Sequence, residues 1–468
     1  MNYSILKPIV LSLFAIVLLS CSNSDPRIQL VDQFLHAEEE FYQFNGNVLV
    51  AEKGKIIYQH SFGYANFDTR APLNDSSVFE LASVSKQFTA TAILLLQKDG
   101  KLSVGDSLRY FFPELPYHGI TIHHLLTHTS GLPDYEELIP YHWDHKKIAF
   151  NKDMVALLAS QKPAIYFKPG TRWQYSNTGF ALLASIVEKV SGKSYNDFLL
   201  ERIFQPLRMT HTRVYNSRRS GEVIPNYAYG FVWSDSLSRF MLPDSLKSFS
   251  YVYYMDGIVG DGTVNSTAGD LLKWDRAWRN ATLLDTGTIN SQLQYPHALA
   301  DTASNMYYGY GVMVSKDTFG SLIQHSGGWP GYSTQLARYT DDDLTIIILS
   351  NNQSVSSGIL LGLSHILHGR QVQMPAQLKV IPYDSTSLKH FSGSYKLRST
   401  KFKLKTGPDH IQQVINPWVS RKLYPASADK LFAIDRIDFQ IERVKVGEKD
   451  RYYRVFYGVR EEFDRTDP

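Results

Sequence analysis

The chain has one cysteine in 468 residues, Cys21, which excludes an internal disulfide and a thiolate metal cluster. Net charge is nearly absent as well: 48 Lys and Arg stand against 45 Asp and Glu, for a formal +3. A nucleic-acid partner needs clustered cations, and no run of Lys and Arg occurs, so that class of partner is set aside. Internal repeats and low-complexity tracts are lacking, and 43% hydrophobic with 20% charged side chains is the makeup of a folded globular protein. One hydrophobic core usually stops growing at about 250 to 300 residues, so a chain of 468 implies more than one structural unit.

Long apolar runs are scarce too. The one at residues 9–19 follows Lys7 and is too short to span a bilayer comfortably, which is the pattern of a signal peptide. It ends at Leu18-Leu19-Ser20-Cys21, which resembles the lipobox of bacterial lipoproteins, whose cysteine becomes the lipidated first residue after cleavage. Ser22 and Asn23 follow, and the lack of Asp there resembles lipoproteins sorted to the outer membrane. The expectation is a signal peptide over residues 1–21 and a lipid on Cys21. The protein is then expected in the bacterial cell envelope, facing the periplasm or the exterior, touching the membrane only through that lipid.

Gly46-Asn47-Val48-Leu49-Val50-Ala51 and Ile56-Ile57-Tyr58 flank Lys53-Gly54-Lys55 and predict a strand hairpin. From Ser83 to Gln97 the apolar and small positions Phe88, Ala92, Leu95 and Leu96 recur at helical spacing, until Asp99-Gly100 ends the run. A further helix is predicted from Ala181 to Lys189, closed by Ser191-Gly192, and Leu344 to Leu349 reads as a strand. Sheet, then helices, then sheet again implies an α/β (α+β) unit over residues 26–372 with an inserted helical lobe. Pro375, Pro382 and the polar residues 384–387 mark a boundary. Beyond it Phe432, Ile434, Ile437, Phe439, Ile441, Val444, Tyr452, Tyr453, Val455 and Tyr457 form dense short strand-like runs, so residues 376–468 are expected to be a small β-rich domain. No chemical cluster stands out there, which favours a passive cap or spacer over a binding role.

A Ser three positions before a Lys on a helix shares a face with it, and the amine can take the hydroxyl proton to leave a nucleophile. Ser83-Val84-Ser85-Lys86 has this form, and so do Ser4-Ile5-Leu6-Lys7 and Ser427-Ala428-Asp429-Lys430. Only Ser83 sits where a turn feeds a long apolar helix, whose positive N-terminus suits an oxyanion. His124 and His128 have a zinc-ligand spacing without an acidic residue placed as in His-Glu-x-x-His, so neither a metal nor another cofactor is expected. Tyr251, Tyr253, Tyr254 and Trp329 suit either a cleft wall or core packing.

With these residues the chain resembles the family of class C β-lactamases, D-alanyl-D-alanine carboxypeptidases and related esterases. Three motifs of that family agree in order: Ser83 to Lys86, Tyr175-Ser176-Asn177 for Tyr-x-Asn, and His325-Ser326-Gly327 for Lys/His-x-Gly. Thr127-His128-Thr129-Ser130-Gly131-Leu132-Pro133, Pro206-Leu207-Arg208-Met209 and the stretch from Gly260 to Asp270 extend it over roughly residues 40–355. The resemblance implies an antiparallel sheet flanked by helices. By the same resemblance Ser83 attacks a substrate carbonyl and forms an acyl-enzyme, while Lys86 and Tyr175 move the proton. Asn177 orients the substrate amide and Lys86, and the N–H groups of Ser83 and Gly328, beside Gly327, hold the oxyanion. His325 lines the site and hydrogen-bonds toward the Tyr175 and Ser83 hydroxyls.

His325 stands where most β-lactamases have Lys, and a neutral imidazole offers little fixed charge for a β-lactam carboxylate. This favours a small-molecule or peptide substrate cleaved at an ester or amide, including D-amino-acid peptides of peptidoglycan. Arg208 stands where the family usually has Gly. A β-lactamase and a non-hydrolytic penicillin-binding or sensor lipoprotein remain the competing readings.

Overall fold

The computed structural model describes residues 25–215, 221–234, 236–302, 305–354, 356–397, 400–416, 419–433 and 439–467. Cys21 and the expected signal peptide lie outside the described residues, as do Ile434 and Ile437.

Helix α1 (Pro26–Tyr42) leads into β1 (Gly46–Glu52) and β2 (Lys55–Phe62), the expected hairpin. The chain then makes its helical lobe, which includes α2 (Lys86–Lys98), α3 (Tyr135–His142), α4 (Asn177–Ser191) and α5 (Ala268–Arg279). It returns through β3 (Ala298–Asp301), β4 (Met306–Tyr308), β5 (Met313–Asp317), β6 (Gly320–Trp329), β7 (Tyr332–Tyr339) and β8 (Leu344–Ser350), then enters α6 (Ser356–Leu367). These eight strands form one antiparallel sheet in the order β3-β4-β5-β6-β7-β8-β1-β2. The first and last parts of the sequence thus meet at its centre, with Gly46 opposite Ser350 and Glu52 opposite Leu344.

Strand β8 is buried throughout, and β1 is buried up to its last residue. Side chains alternate across a strand. Val48, Val50, Ile346 and Ile348 therefore pack on one face with Val31 and Phe34 of α1 and Ile359 and Leu363 of α6. Leu49, Ala51, Ile347 and Leu349 pack on the other with Phe88 of α2 and Trp274 of α5. Both faces are covered, so the sheet is the spine on which α2 is fixed.

The β-rich region closes on itself. Strands β9 (Gly393–Leu397), β10 (Thr400–Thr406), β11 (Ile411–Asn416), β12 (Val419–Ser427), β13 (Lys430–Phe432), β14 (Gln440–Val446), β15 (Lys449–Phe456) and β16 (Val459–Arg465) form a closed barrel. Phe391, Tyr395, Phe402, Ile411, Leu423 and Phe463 are among the side chains that fill its core. The barrel docks through the turn after β15: Tyr457 enters the core under α1 and α6, with its ring 4.9 Å from that of Phe34. Among the described residues no helix is long and apolar enough to cross a membrane.

Candidate active site

Glu80 pairs with Asn265, and the Leu81 N–H donates to Val264 O at 2.8 Å, which pins the chain just before the candidate nucleophile. Ala82 then turns the backbone sharply with a φ of 47°, a left-handed value that costs a non-glycine residue energy and marks a site held by its surroundings. That hold comes from burial, with Ala82 3% exposed, and from Thr334 Oγ1, which donates to Leu81 O at 2.7 Å. The sequence predicts one helix from Ser83 to Gln97. Instead Ala82–Ser85 is a 3₁₀ turn and α2 starts at Lys86. A 3₁₀ turn eclipses positions i and i+3 and sets Ser83 over Lys86 more directly than an α-helix does.

The Lys86 amine is fully buried and makes three contacts, to Ser83 Oγ at 3.1 Å, Asn177 Oδ1 at 2.9 Å and Asp261 O at 2.8 Å. Two carbonyl acceptors use two N–H groups. The third contact is to Ser83 Oγ, which places the amine within proton-transfer distance of the hydroxyl. Asn177 is the first residue of α4, whose N-cap Ser176 accepts from Gly179 N–H at 3.2 Å, so a capped helix end sets its position. Asp261 reaches Lys86 because Gly260, at φ 107°, lies against α4, where a Cβ would sit 2.5 Å from Phe180 O.

Further groups stand behind these. Asn177 Nδ2 donates to Glu136 Oε1 at 2.8 Å, and Tyr135 OH donates to Asp261 Oδ2 at 2.7 Å. Burial, then the charges of Asp134 and Asp261, push the Glu136 carboxyl up to about 7. Burial also raises Asp134 and Asp261 above the usual carboxylate range. Sequence reasoning missed Tyr135, Glu136 and Asp261. Asp134-Tyr135-Glu136-Glu137 follows the Thr127 to Pro133 stretch directly, but in sequence an acidic run reads as a solvated helix start.

Tyr175 meets Lys86 with its ring face, the centroid 4.8 Å from Nζ, and packs 4.3 Å from the His128 ring. Its hydroxyl makes no hydrogen bond among the described residues. His325 differs from expectation in its bonding. Its Nδ1 lies 2.6 Å from Ser326 O and its Nε2 2.9 Å from Tyr308 OH, so neither nitrogen reaches Tyr175 or Ser83. A carbonyl only accepts, so Nδ1 carries the proton and Nε2 accepts from Tyr308. Burial, then the Lys86 charge, push His325 down to about 3, which keeps it neutral. His128 is likewise buried and neutral, its Nδ1 accepting the Ser176 N–H at 3.1 Å.

Strand β6 runs beside the nucleophile turn. A Cβ on Gly327 would lie 2.2 Å from Leu81 O, so only glycine lets the strand come this close. Gly328, the next residue, is exposed, and a Cβ there would meet nothing within 4 Å. The Ser83 N–H has no acceptor among the described residues and is available for an oxyanion. Of the four aromatic residues suited to a wall or a core, Tyr251 and Trp329 pack edge to face at 5.7 Å. Tyr254 instead stacks on His145 at 4.1 Å.

Residues 32–360 match the family described as Beta-lactamase. Penicillin-binding protein 4* of Bacillus subtilis is 40% identical over 437 residues, which cover 91% of this chain and 96% of that one. The D-aminopeptidase of Brucella canis is 26% identical over 361 residues, covering 76% of this chain and 66% of that one. The crystal structure of a penicillin-binding protein from Bacillus halodurans superposes with a TM-score of 0.62 at 28% identity, covering 70% of this chain and 98% of that one. With Ser83 hydrogen-bonded to a buried Lys86 and the match running through most of its length, the chain belongs to the beta-lactamase family and is a serine hydrolase.

Proposed function

We propose that the protein cleaves an amide or ester bond of a D-amino-acid peptide, such as those of peptidoglycan, through an acyl-enzyme on Ser83. Ser83 Oγ adds to the carbonyl as its proton passes to the Lys86 amine, and the oxyanion is met by the Ser83 and Gly328 N–H groups. The C–N or C–O bond then breaks, and the leaving amine or alcohol takes a proton from Lys86 or Tyr175. Water cleaves the acyl ester by the same proton path in reverse and restores Ser83. The observation that carries this reading is the Lys86 amine held by Asn177 Oδ1 at 2.9 Å and Asp261 O at 2.8 Å, 3.1 Å from Ser83 Oγ.

Neutral His325 supports a peptide or ester over a β-lactam, because it supplies no positive charge for the β-lactam carboxylate. The similarity to a protein named D-aminopeptidase supports the D configuration. The test is a panel of a D-Ala-D-Ala peptide, D- and L-amino acid amides, p-nitrophenyl esters and a chromogenic cephalosporin, with Ser83→Ala as blank and mass spectrometry for adducts. Preferred turnover of a D compound supports the proposal. Faster turnover of the cephalosporin identifies a β-lactamase instead, and a lasting adduct with every compound identifies a sensor. The Leu18-Leu19-Ser20-Cys21 sequence supports a further part of the proposal, that lipid on Cys21 holds the protein at the bacterial envelope, on the outer membrane where there are two.

A further inference from the structure

The Tyr175 hydroxyl belongs to the proposed proton path, yet no hydrogen bond among the described residues holds it, so its place is set by the ring and the backbone that carry it. Both of those holds lead to one residue. The His128 ring packs 4.3 Å from the Tyr175 ring, nearer than the rings of His325 at 6.2 Å and Tyr308 at 6.5 Å. On the backbone, the Gln174 N–H donates to His128 O at 2.9 Å and the Ser176 N–H donates to His128 Nδ1 at 3.1 Å. His128 thus grips the residue before Tyr175, the residue after it and the ring between them.

The grip depends on a strained backbone. His128 has a φ of 58°, a left-handed value that persists in a residue other than glycine only where the surroundings fix it. Its neighbours meet the same segment, since Thr129 O accepts from Gly170 N–H and Gly131 O from Tyr166 N–H, each at 2.8 Å. Histidine is the side chain that offers a ring to stack and an acceptor within it. Burial, then the charges of Lys86 and His325, hold its pKa well below the usual value, so Nδ1 stays an acceptor. The ring proton is then on Nε2, buried with no hydrogen-bond partner among the described residues, a feature that native cores seldom keep without a functional reason. Asn177, beyond Ser176, needs this grip less, because it has its own bonds to Lys86 and Glu136.

We propose that His128 is the positioning residue of Tyr175: fully buried, it touches no substrate and acts by fixing the Tyr175 hydroxyl for proton transfer at Ser83. The proposal rests on the acyl-enzyme reading of the site. A reacting group misplaced by about 1 Å can cost roughly 100-fold in rate, which sets the scale of the effect.

The test is a double-mutant cycle on the full chain: kcat/KM of the wild type, His128→Phe, Tyr175→Phe and the double variant with the fastest substrate of the panel above, and Ser83→Ala as blank. His128→Phe keeps a ring and loses the Nδ1 acceptor. It should lower kcat/KM by about 100-fold where Tyr175 is present and by less than about threefold where Phe replaces it. His128→Asn removes the ring but keeps an acceptor and suits a left-handed backbone, so it repeats the cycle from the other contact and should show the same dependence on Tyr175. A merely structural role would cost the same in both backgrounds, since Tyr175→Phe removes one oxygen from an intact ring. Losses that repeat in full in the Tyr175→Phe background, or an undiminished kcat/KM in both His128 variants, overturn the proposal. So does failure of both variants to fold by circular dichroism, which makes His128 a core residue alone. Turnover that survives Ser83→Ala refutes the acyl-enzyme reading itself, and this proposal with it.

Discussion

Replacing Glu136 by Gln removes one ionisation from the heart of the site and keeps an oxygen to accept from Asn177 Nδ2. The folded carboxyl titrates at about 7, against an ordinary value of 4.5, because burial and then Asp134 and Asp261 oppose its charge. Between those values the folded protein holds the proton more tightly than the unfolded chain does. Stability from this group is therefore full below pH 4.5, falls as the pH rises, and is lost above about 7. At ~1.36 kcal/mol per pH unit the span amounts to about 3 kcal/mol, and screening at this half-buried residue trims it toward ~2. Urea unfolding of both proteins from pH 4.5 to 8.5, followed by tryptophan fluorescence, measures it. The wild type should lose about 2 kcal/mol relative to Glu136→Gln across that range, with most of the change below pH 7. A difference that stays constant with pH, or that turns in favour of the wild type at high pH, refutes the electrostatic reading of this cluster.

On the proposed mechanism Ser83 and Lys86 share one proton transfer, so Ser83→Ala, Lys86→Ala and the double variant should lower kcat/KM about equally, by roughly 1,000-fold or more. If Lys86→Ala keeps near-normal turnover while Ser83→Ala is dead, the seryl-lysine assignment fails. Gly327→Ala places a Cβ 2.2 Å from Leu81 O and should slow fluorophosphonate labelling of Ser83 by about 100-fold, while Gly328→Ala, with nothing within 4 Å, is tolerated; equal labelling of the two would contradict the close approach of β6. Tyr457→Ala empties the contact with Phe34 and should destabilise the protein by about 3 kcal/mol in thermal or urea unfolding, and an unchanged midpoint would mean the barrel does not brace the hydrolase sheet. Cys21→Ser should release the protein from the membrane fraction, and retention there would rule out the lipid anchor.

Features set by neighbours in the chain were legible without the fold. Ser83 and Lys86 lie three residues apart, the β1–β2 hairpin has its turn between two apolar runs, and α4 follows apolar periodicity to its end at Gly192. The helical reading still missed the 3₁₀ turn at Ala82–Ser85, because Ala82 is held left-handed by packing and by Thr334, more than 250 residues away in the chain. Asp261 contacts Lys86 across a separation of 175 residues, and through a backbone carbonyl, which has no signature in side-chain sequence. The charge states of Glu136 and His325 belong to burial, and burial comes from the sheet, α3 and α4 closing around them. His325 was legible as a member of the third motif, but its hydrogen bonds were not, since Tyr308 arrives from a different strand. The amino-acid order by itself determined which residues could do the chemistry. The tertiary structure decided which atoms hold the Lys86 amine, because those contacts form only when segments remote in the chain share one desolvated pocket.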